Sequence, residues 1–146
     1  MAERISIIAA NSLLGGLKTA LDLGFMYIYS GSQPTTPEDA ANGTLLATIS
    51  ISGGATGLTW DTPADNEMEK VSSAVWSGTA VASGTAGWCR VSGASDTSPG
   101  AASTTEERVD MVCTRTGSSE CILSTLTIVS GGSVTVDSAK ILMPVA

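Results

Sequence analysis

Residues 44–52 read TLLATISIS, and the last four of them alternate strictly between isoleucine and serine. Because successive side chains of a β-strand point to opposite faces, this alternation predicts a strand with one buried and one wet face. A second stretch, FMYIY at residues 25–29, is rich in aromatic and branched side chains and predicts another strand. Two prolines and an Asn-Gly pair lie between these strands, which predicts a long connection rather than a tight hairpin.

The rest of the chain repeats this type of pattern. Runs rich in Val, Ile and Thr predict five further strands, at residues 71–83, 86–92, 108–114, 120–129 and 133–145. Gly84 and Thr85 separate the first two runs, so we expect those runs to form a short hairpin. The turn-rich segment 53–70 and the polar segment 92–107 (SGASDTSPGAASTTEE) are expected to be exposed.

The N-terminal segment has a different pattern. Residues 11–23 (NSLLGGLKTALDL) place leucines and alanines at helical spacing, although Gly15 and Gly16 weaken the helix. Gly24 then stands where a glycine commonly ends a helix. We therefore expect a short helix or arm within residues 1–23, followed by a single β-domain at 24–146.

These elements predict an all-β fold, namely a β-sandwich or jelly-roll-like domain of about seven or eight strands with a short N-terminal helix or arm. A chain of 146 residues is the size of one typical domain. Charged residues make up only 14% of it, against a usual share of about 25%, which favours strands and turns over helix surfaces. A sandwich has edge strands, and an edge is where another chain can add a strand.

Net charge excludes several kinds of partner. The chain has a formal charge of −7 with only seven Lys and Arg residues, so binding to nucleic-acid phosphates or to an anionic membrane surface is unfavourable. No apolar run approaches the ~18–20 residues of a membrane helix. The start, MAERISIIAANSLL, lacks the basic region and long apolar run of a secretory signal, and we expect it to be the native N-terminus.

The chain contains no histidine. This removes the usual general base, the commonest metal ligand and every Ser-His or Cys-His nucleophile pair, so we expect no enzymatic activity and no cofactor. An acidic cluster offers oxygen ligands to calcium but lacks the spacing of an EF-hand loop, so a solvated loop is the preferred interpretation. That cluster comprises Asp61, Asp65, Glu67 and Glu69.

Three cysteines cannot all pair within one chain. The segment between Cys113 and Cys121, TRTGSSE, predicts a hairpin centred on Gly117 that places these two cysteines opposite each other, close enough for a disulfide. We therefore expect neighbouring thiols or a disulfide there, and a free or intermolecular thiol at Cys89. Within its strand, Cys89 is expected on the face opposite to Trp88 and Arg90.

Two blocks of sequence carry a resemblance to a known family. The stretch YIYSGSQP at 27–34, continuing to DAANGTLLAT at 39–48, and the stretch SGTAGWCR at 83–90 are similar to blocks of a family of small tailed-bacteriophage virion proteins. In that family the blocks read IYTG-x-QP, A-x-GTLLAT and GTAGW-x-R. The likeness extends in outline over residues 17–136. This chain departs from the pattern at Cys89, where a bulky aromatic is common, and in the long polar loop before Thr105.

The resemblance implies a virion structural protein that is assembled in the cytoplasm of a bacterial host. Its expected partners are the major capsid protein or other virion proteins, and further copies of itself in a homo-oligomer. A capsid decoration or cement protein is the first expectation, and a neck or tail component is the alternative. A third hypothesis, from the residues alone, is a carbohydrate-binding or adhesin module in which Trp60, Trp76 or Trp88 stacks on sugar rings, although a buried role for these rings is the simpler interpretation.

Overall fold

The computed structural model describes residues 4–117 and 120–144. Over these residues the chain forms one helix and nine strands. In chain order they are α1 (Ile7–Leu21), β1 (Phe25–Ser30), β2 (Leu45–Ile51), β3 (Glu67–Glu69), β4 (Trp76–Thr79), β5 (Gly84–Ser92), β6 (Arg108–Thr114), β7 (Glu120–Leu123), β8 (Thr127–Ile128) and β9 (Ser133–Leu142). The prediction of an all-β fold with a short N-terminal helix is therefore confirmed.

Seven of the strands close into a barrel. Neighbours follow the order β1-β2-β4-β9-β7-β6-β5, and β5 pairs back with β1 to complete the ring. The two short strands β3 and β8 lie outside the ring, paired with β9 and β5. The layers expected of a sandwich are thus joined into one closed sheet, which removes most of the edges that we expected to be open to strand addition.

The ring contains one parallel pair, β6 with β7. Strand directions cannot alternate all the way around an odd number of strands, so a ring of seven must include at least one parallel neighbour. Here Cys113 pairs with Cys121 and Thr114 with Ile122. The two cysteines lie opposite each other as expected, but the antiparallel hairpin predicted for them is wrong.

The hairpin expected around Gly84 and Thr85 is also wrong. These two residues begin β5 and pair with β8, while β4 pairs with β2 and β9 instead of with the strand that follows it. Gly78 shows how closely β4 approaches β2, because a Cβ atom at this position would lie 2.1 Å from the carbonyl oxygen of Thr48. This approach is part of ring closure, which local turn signals do not encode.

Helix α1 begins after Ser6, whose hydroxyl accepts a hydrogen bond from the backbone N–H of Ala9 at 3.1 Å. Leu14 and Leu21 are fully buried in the same hydrophobic cluster as the barrel strands. Asn11 adds a polar contact, since its Oδ1 accepts from the backbone N–H of Asn66 at 2.9 Å. Over its length, α1 therefore packs against the end of the barrel where β1 begins, and it is not a free arm.

The turn from α1 into β1 uses its glycine differently from the expectation. Leu23, and not Gly24, takes the left-handed conformation, with a φ of 68°. Gly24 is required for another reason, because a Cβ atom there would come 1.8 Å from the carbonyl oxygen of Ser92.

Among the described residues, the structure contains no helix with the length and apolar character of a membrane span.

Candidate functional site

Strand β5 is buried on both faces. Its register with β1 and β6 places Trp88 and Arg90 on the outside of the barrel, while Cys89 packs in the interior cluster. All three residues are fully buried. The predicted alternation is confirmed, but burial of the outer face means that another segment covers it. That segment is the connection at 93–107, whose own side chains are mostly exposed, as expected, although it lies against the barrel.

Arg90 is the centre of the covered outer face. Its Nε and Nη2 donate to the two carboxylate oxygens of Asp110 at 2.8 and 2.9 Å, and both side chains are at most 2% exposed. Its Nη1 donates to the carbonyl oxygen of Pro99 at 2.9 Å. The guanidinium lies 5.3 Å from the ring centroid of Trp88, which stacks on Tyr29 with centroids 4.7 Å apart. The connection is thus fixed to the barrel through a buried cation.

A second buried ion pair extends this arrangement. Arg108 donates from Nε and Nη2 to the carboxylate of Asp96 at 2.7 and 3.2 Å, and it also donates to the carbonyl oxygens of Ala101 and Ser98. Burial raises the pKa of Asp96, but hydrogen bonds from Arg108 and from the backbone N–H of Ser98 outweigh it and hold that pKa below its ordinary value. Both guanidinium groups therefore serve to hold the connection in place.

The three cysteines form a cluster inside the barrel. The Sγ atoms of Cys89, Cys113 and Cys121 lie within 4.8 Å of one another, and one residue comes from each of β5, β6 and β7. All three are free thiols in the structure. Cys89 is fully buried, so the intermolecular bond considered for it would require the barrel to open. A fourth sulfur is near, since Met26 Sδ lies 3.8 Å from Cys121 Sγ.

The thiols of the cluster ionise unequally. The pKa of Cys113 is lowered because Cys121 and Cys89 donate hydrogen bonds to its sulfur. The pKa values of Cys89 and Cys121 are raised, because their contacts with Cys113 retain their protons and burial disfavours their charge. Cys113 is therefore the most acidic thiol of the cluster.

The acidic cluster does not assemble into a cation site. Asp61, Asp65, Glu67 and Glu69 line a surface pocket of ≈ 200 Å³. Lys140 Nζ lies 3.1 Å from carboxylate oxygens of both Glu67 and Glu69 and so already forms ion pairs with two of the four acidic residues. Across residues 4–117 and 120–144, the cysteines are the one group of three or more His, Cys, Asp or Glu residues whose ligand atoms converge. The cluster is a solvated surface held by ion pairs.

The tryptophans offer no ring face to a sugar. Trp60, Trp76 and Trp88 are at most 2% exposed. Trp60 and Trp76 pack edge-to-face in the core with centroids 4.9 Å apart. The stacking required of a carbohydrate-binding module at these residues is therefore not available in this fold.

Comparison with known proteins identifies no relative of the chain, since no family model, curated protein or solved structure matches it.

The sequence did not predict that Cys89 lies beside the other two cysteines. The inward position of Cys89 could be read from the alternation in its strand. Its neighbours could not, because they depend on which strands flank β5 in the ring.

Proposed function

We propose that the chain is a structural protein of a tailed-bacteriophage virion that acts by packing against other virion proteins and against copies of itself. The observation that carries the proposal is the apolar surface left open on helix α1. Ile8 is 79% exposed, Leu13 is 55% exposed and Ile7 is 48% exposed, although the helix already buries another face against the barrel. Ile7 and Ile8 are adjacent in the first turn of the helix, and exposed apolar side chains that lie side by side on a surface are typical of sites that bind another protein.

The opposite end of the barrel also exposes apolar side chains. Val81 and Val129 are 65% and 64% exposed, and they lie in adjoining turns because the backbone N–H of Gly131 donates to the carbonyl oxygen of Ala80. Strands β1 and β4 are both antiparallel to β2, so the end of β4 lies away from the helix. A subunit with apolar contacts at both ends is suited to bridge two neighbours.

The sequence resemblance supports the same proposal. The two blocks that resemble the virion family fall on β1 and β2 and on β5, and these three strands are neighbours in the ring. The likeness therefore covers one continuous part of the barrel. The chain also has no histidine, and its two most buried arginines are fully engaged with carboxylates and carbonyls. These features favour a scaffold over a catalyst.

Within a virion, a capsid decoration or cement protein is the first proposal, and a neck or tail component is the second. The expected partners are the major capsid protein or other virion proteins, together with further copies of this chain. Copy number separates the two positions, because a shell has many more equivalent sites than a neck or tail.

Quantitative mass spectrometry of purified particles tests the proposal. Particles should be produced by infection with a phage that encodes this chain, and the capsid protein should serve as the internal standard. Hundreds of copies per particle would support decoration of the shell, and dozens would support the neck or tail. Purified, infectious particles that contain none of the chain would contradict the proposal.

A further inference from the structure

We propose that the cysteine cluster inside the barrel binds one thiophilic d¹⁰ metal ion, and that Cu(I) is the ion its ligands fit best. The ligands are the thiol sulfurs of Cys89, Cys113 and Cys121, with the thioether of Met26 beside them. This inference does not depend on the proposed virion role, because it rests only on atoms inside one barrel.

The distances suit a three-sulfur site. Metal–thiolate bonds of about 2.3 Å place the sulfurs of a trigonal site roughly 4.0 Å apart. The cluster's Sγ atoms lie within 4.8 Å of one another, so each must move toward the centre by no more than about 0.5 Å. Cys113 and Cys121 are directly paired across β6 and β7, while Cys89 pairs with Met111, two residues before Cys113 on β6. Rotation of the side chains is sufficient to close the site.

The ligand type selects the ion. Cys and Met sulfurs are soft ligands that favour Cu(I), whereas structural zinc sites use four Cys or His ligands. The fourth group here is the thioether of Met26, whose Sδ lies 3.8 Å from Cys121 Sγ. With no histidine in the chain, the donor set consists entirely of sulfur.

A surface pocket adjoins strand β6, which carries Cys113. Because β7 pairs only with the last residues of β6, the earlier part of β6 faces a gap beside β9. A pocket of ≈ 270 Å³ occupies this gap, lined by Val109, Met111, Glu120, Lys140, Ile141 and Leu142. Met111 lies on the same face of β6 as Cys113, which is 5% exposed and is the most accessible of the three cysteines. An ion that enters here meets a carboxylate and a thioether before it reaches the thiols.

Binding has a simple proton balance. Each thiol that becomes a thiolate ligand releases one proton to the buffer, and the ion takes its place on the sulfur. Cys113 is the first thiol that an entering ion meets, because it is the only one of the three that is not fully buried. No electrons are transferred when the ion arrives as Cu(I).

Two other states of the cluster are possible outcomes. Buried thiols can pack as small apolar side chains without any ligand. Alternatively, Cys113 and Cys121 can form a disulfide, which would remove two of the three ligands. Both states make predictions that differ from those of a metal site.

The experiment uses the full-length chain, purified under anaerobic conditions with the reductant removed. A thiol titration in denaturant should give three thiols per chain, and one thiol would establish the disulfide and overturn the proposal. The folded chain is then titrated into the coloured Cu(I) complex of bathocuproine disulfonate. We expect the chain to withdraw Cu(I) until one equivalent is bound and its Tm to rise on binding.

Variants assign the site. Cys113→Ala should lower the affinity for Cu(I) at least tenfold, the scale on which even outer ligands of a metal act. Met26→Leu conserves volume and should weaken binding while the fold is retained, which covers the case in which a cysteine variant does not fold. Met68→Leu, a fully buried methionine outside the cluster, is the control and should bind as the unmodified chain does. Folded chain that leaves Cu(I) with the chelator, or Met26→Leu and Cys113→Ala chains that bind Cu(I) unchanged, would overturn the proposal.

Discussion

Two arginines are buried without being left as isolated charges. Moving a charge out of water is costly, and the cost is recovered only when the partner geometry is good and the remaining N–H groups find acceptors. Arg90 meets both conditions, with Asp110 on one side and the carbonyl of Pro99 on the other. The pair therefore fixes where the connection at 93–107 lies, and removal of one partner should cost more than the pair contributes.

Asp110→Asn tests this at the residue scale. The variant leaves Arg90 buried with an uncompensated charge, so we expect the free energy of unfolding to fall by roughly 3–5 kcal/mol, measured by urea denaturation. Glu69→Gln is the matched control, because its ion pair with Lys140 is more than half exposed on the glutamate side, at 52%. Its effect should stay within about 1 kcal/mol. Equal losses for the two variants would contradict the role given to Arg90.

Asp96 makes the attachment of the connection dependent on pH. The pKa of Asp96 is lowered in the fold from its ordinary value of 3.8. Between the folded and the unfolded pKa, the unfolded chain binds more protons, so the free energy of unfolding falls as the pH drops through this range. Asp96→Asn lacks this titration and should lose less stability between about pH 5 and pH 2 than the unmodified chain loses. Urea denaturation at a series of pH values measures the difference, and parallel curves would disprove it.

At the scale of elements, most strands could be located from the sequence but their pairing could not. The alternation at residues 44–52 and the run at 108–114 correspond closely to β2 and β6. The segment 53–70 was expected to be surface loop or edge, and it contains β3, a short strand outside the ring whose partner is β9. The two hairpin predictions were wrong because the neighbours of a strand in a closed ring are determined by the whole set of strands. The sequence of the turn between two strands does not determine which strands will pair.

Glycine substitutions test the closeness of β2 and β4. Gly78→Ala places a Cβ atom 2.1 Å from the carbonyl oxygen of Thr48, so the strands must separate. The expected cost is roughly 1–3 kcal/mol, the range for overpacking. Gly16→Ala is the control, since nothing lies within 4 Å of its Cβ position and alanine favours a helix. It should stabilise the chain by about 0.5–1 kcal/mol. A thermal unfolding measurement in which Gly78→Ala is more stable than Gly16→Ala would contradict the close contact between β2 and β4.

At the scale of the whole molecule, ring closure changes how the chain can assemble. An open sandwich would offer edge strands, whereas this barrel leaves only short strands such as β3 and β8 outside the ring. Contacts with other subunits should therefore depend on side chains at the two ends of the barrel. The cysteine cluster is also a property of the whole fold, because Cys89 meets Cys113 and Cys121 only when β5, β6 and β7 are in place. Sequence spacing could bring two of these residues together, but not the third.

Ile8→Glu tests the proposed contact surface on α1. The side chain is 79% exposed, so the charge should leave the Tm of the isolated chain nearly unchanged. Incorporation into particles should fall severalfold, because the new charge would be buried against a neighbour. Thr104→Glu introduces the same charge at an exposed position of the connection at 93–107, outside the helix, and is the control. Quantitative mass spectrometry of the particles measures both variants, and normal incorporation of Ile8→Glu would move the contact surface away from this helix.

A cryo-EM map of the particle formed by a phage that encodes this chain tests whether the chain is a virion subunit. We expect density into which the seven-stranded barrel fits, with the exposed apolar side chains of α1 covered by a neighbouring subunit. A map at side-chain resolution in which every protein density is assigned to other chains would contradict it. So would a barrel whose helix α1 faces solvent on every copy.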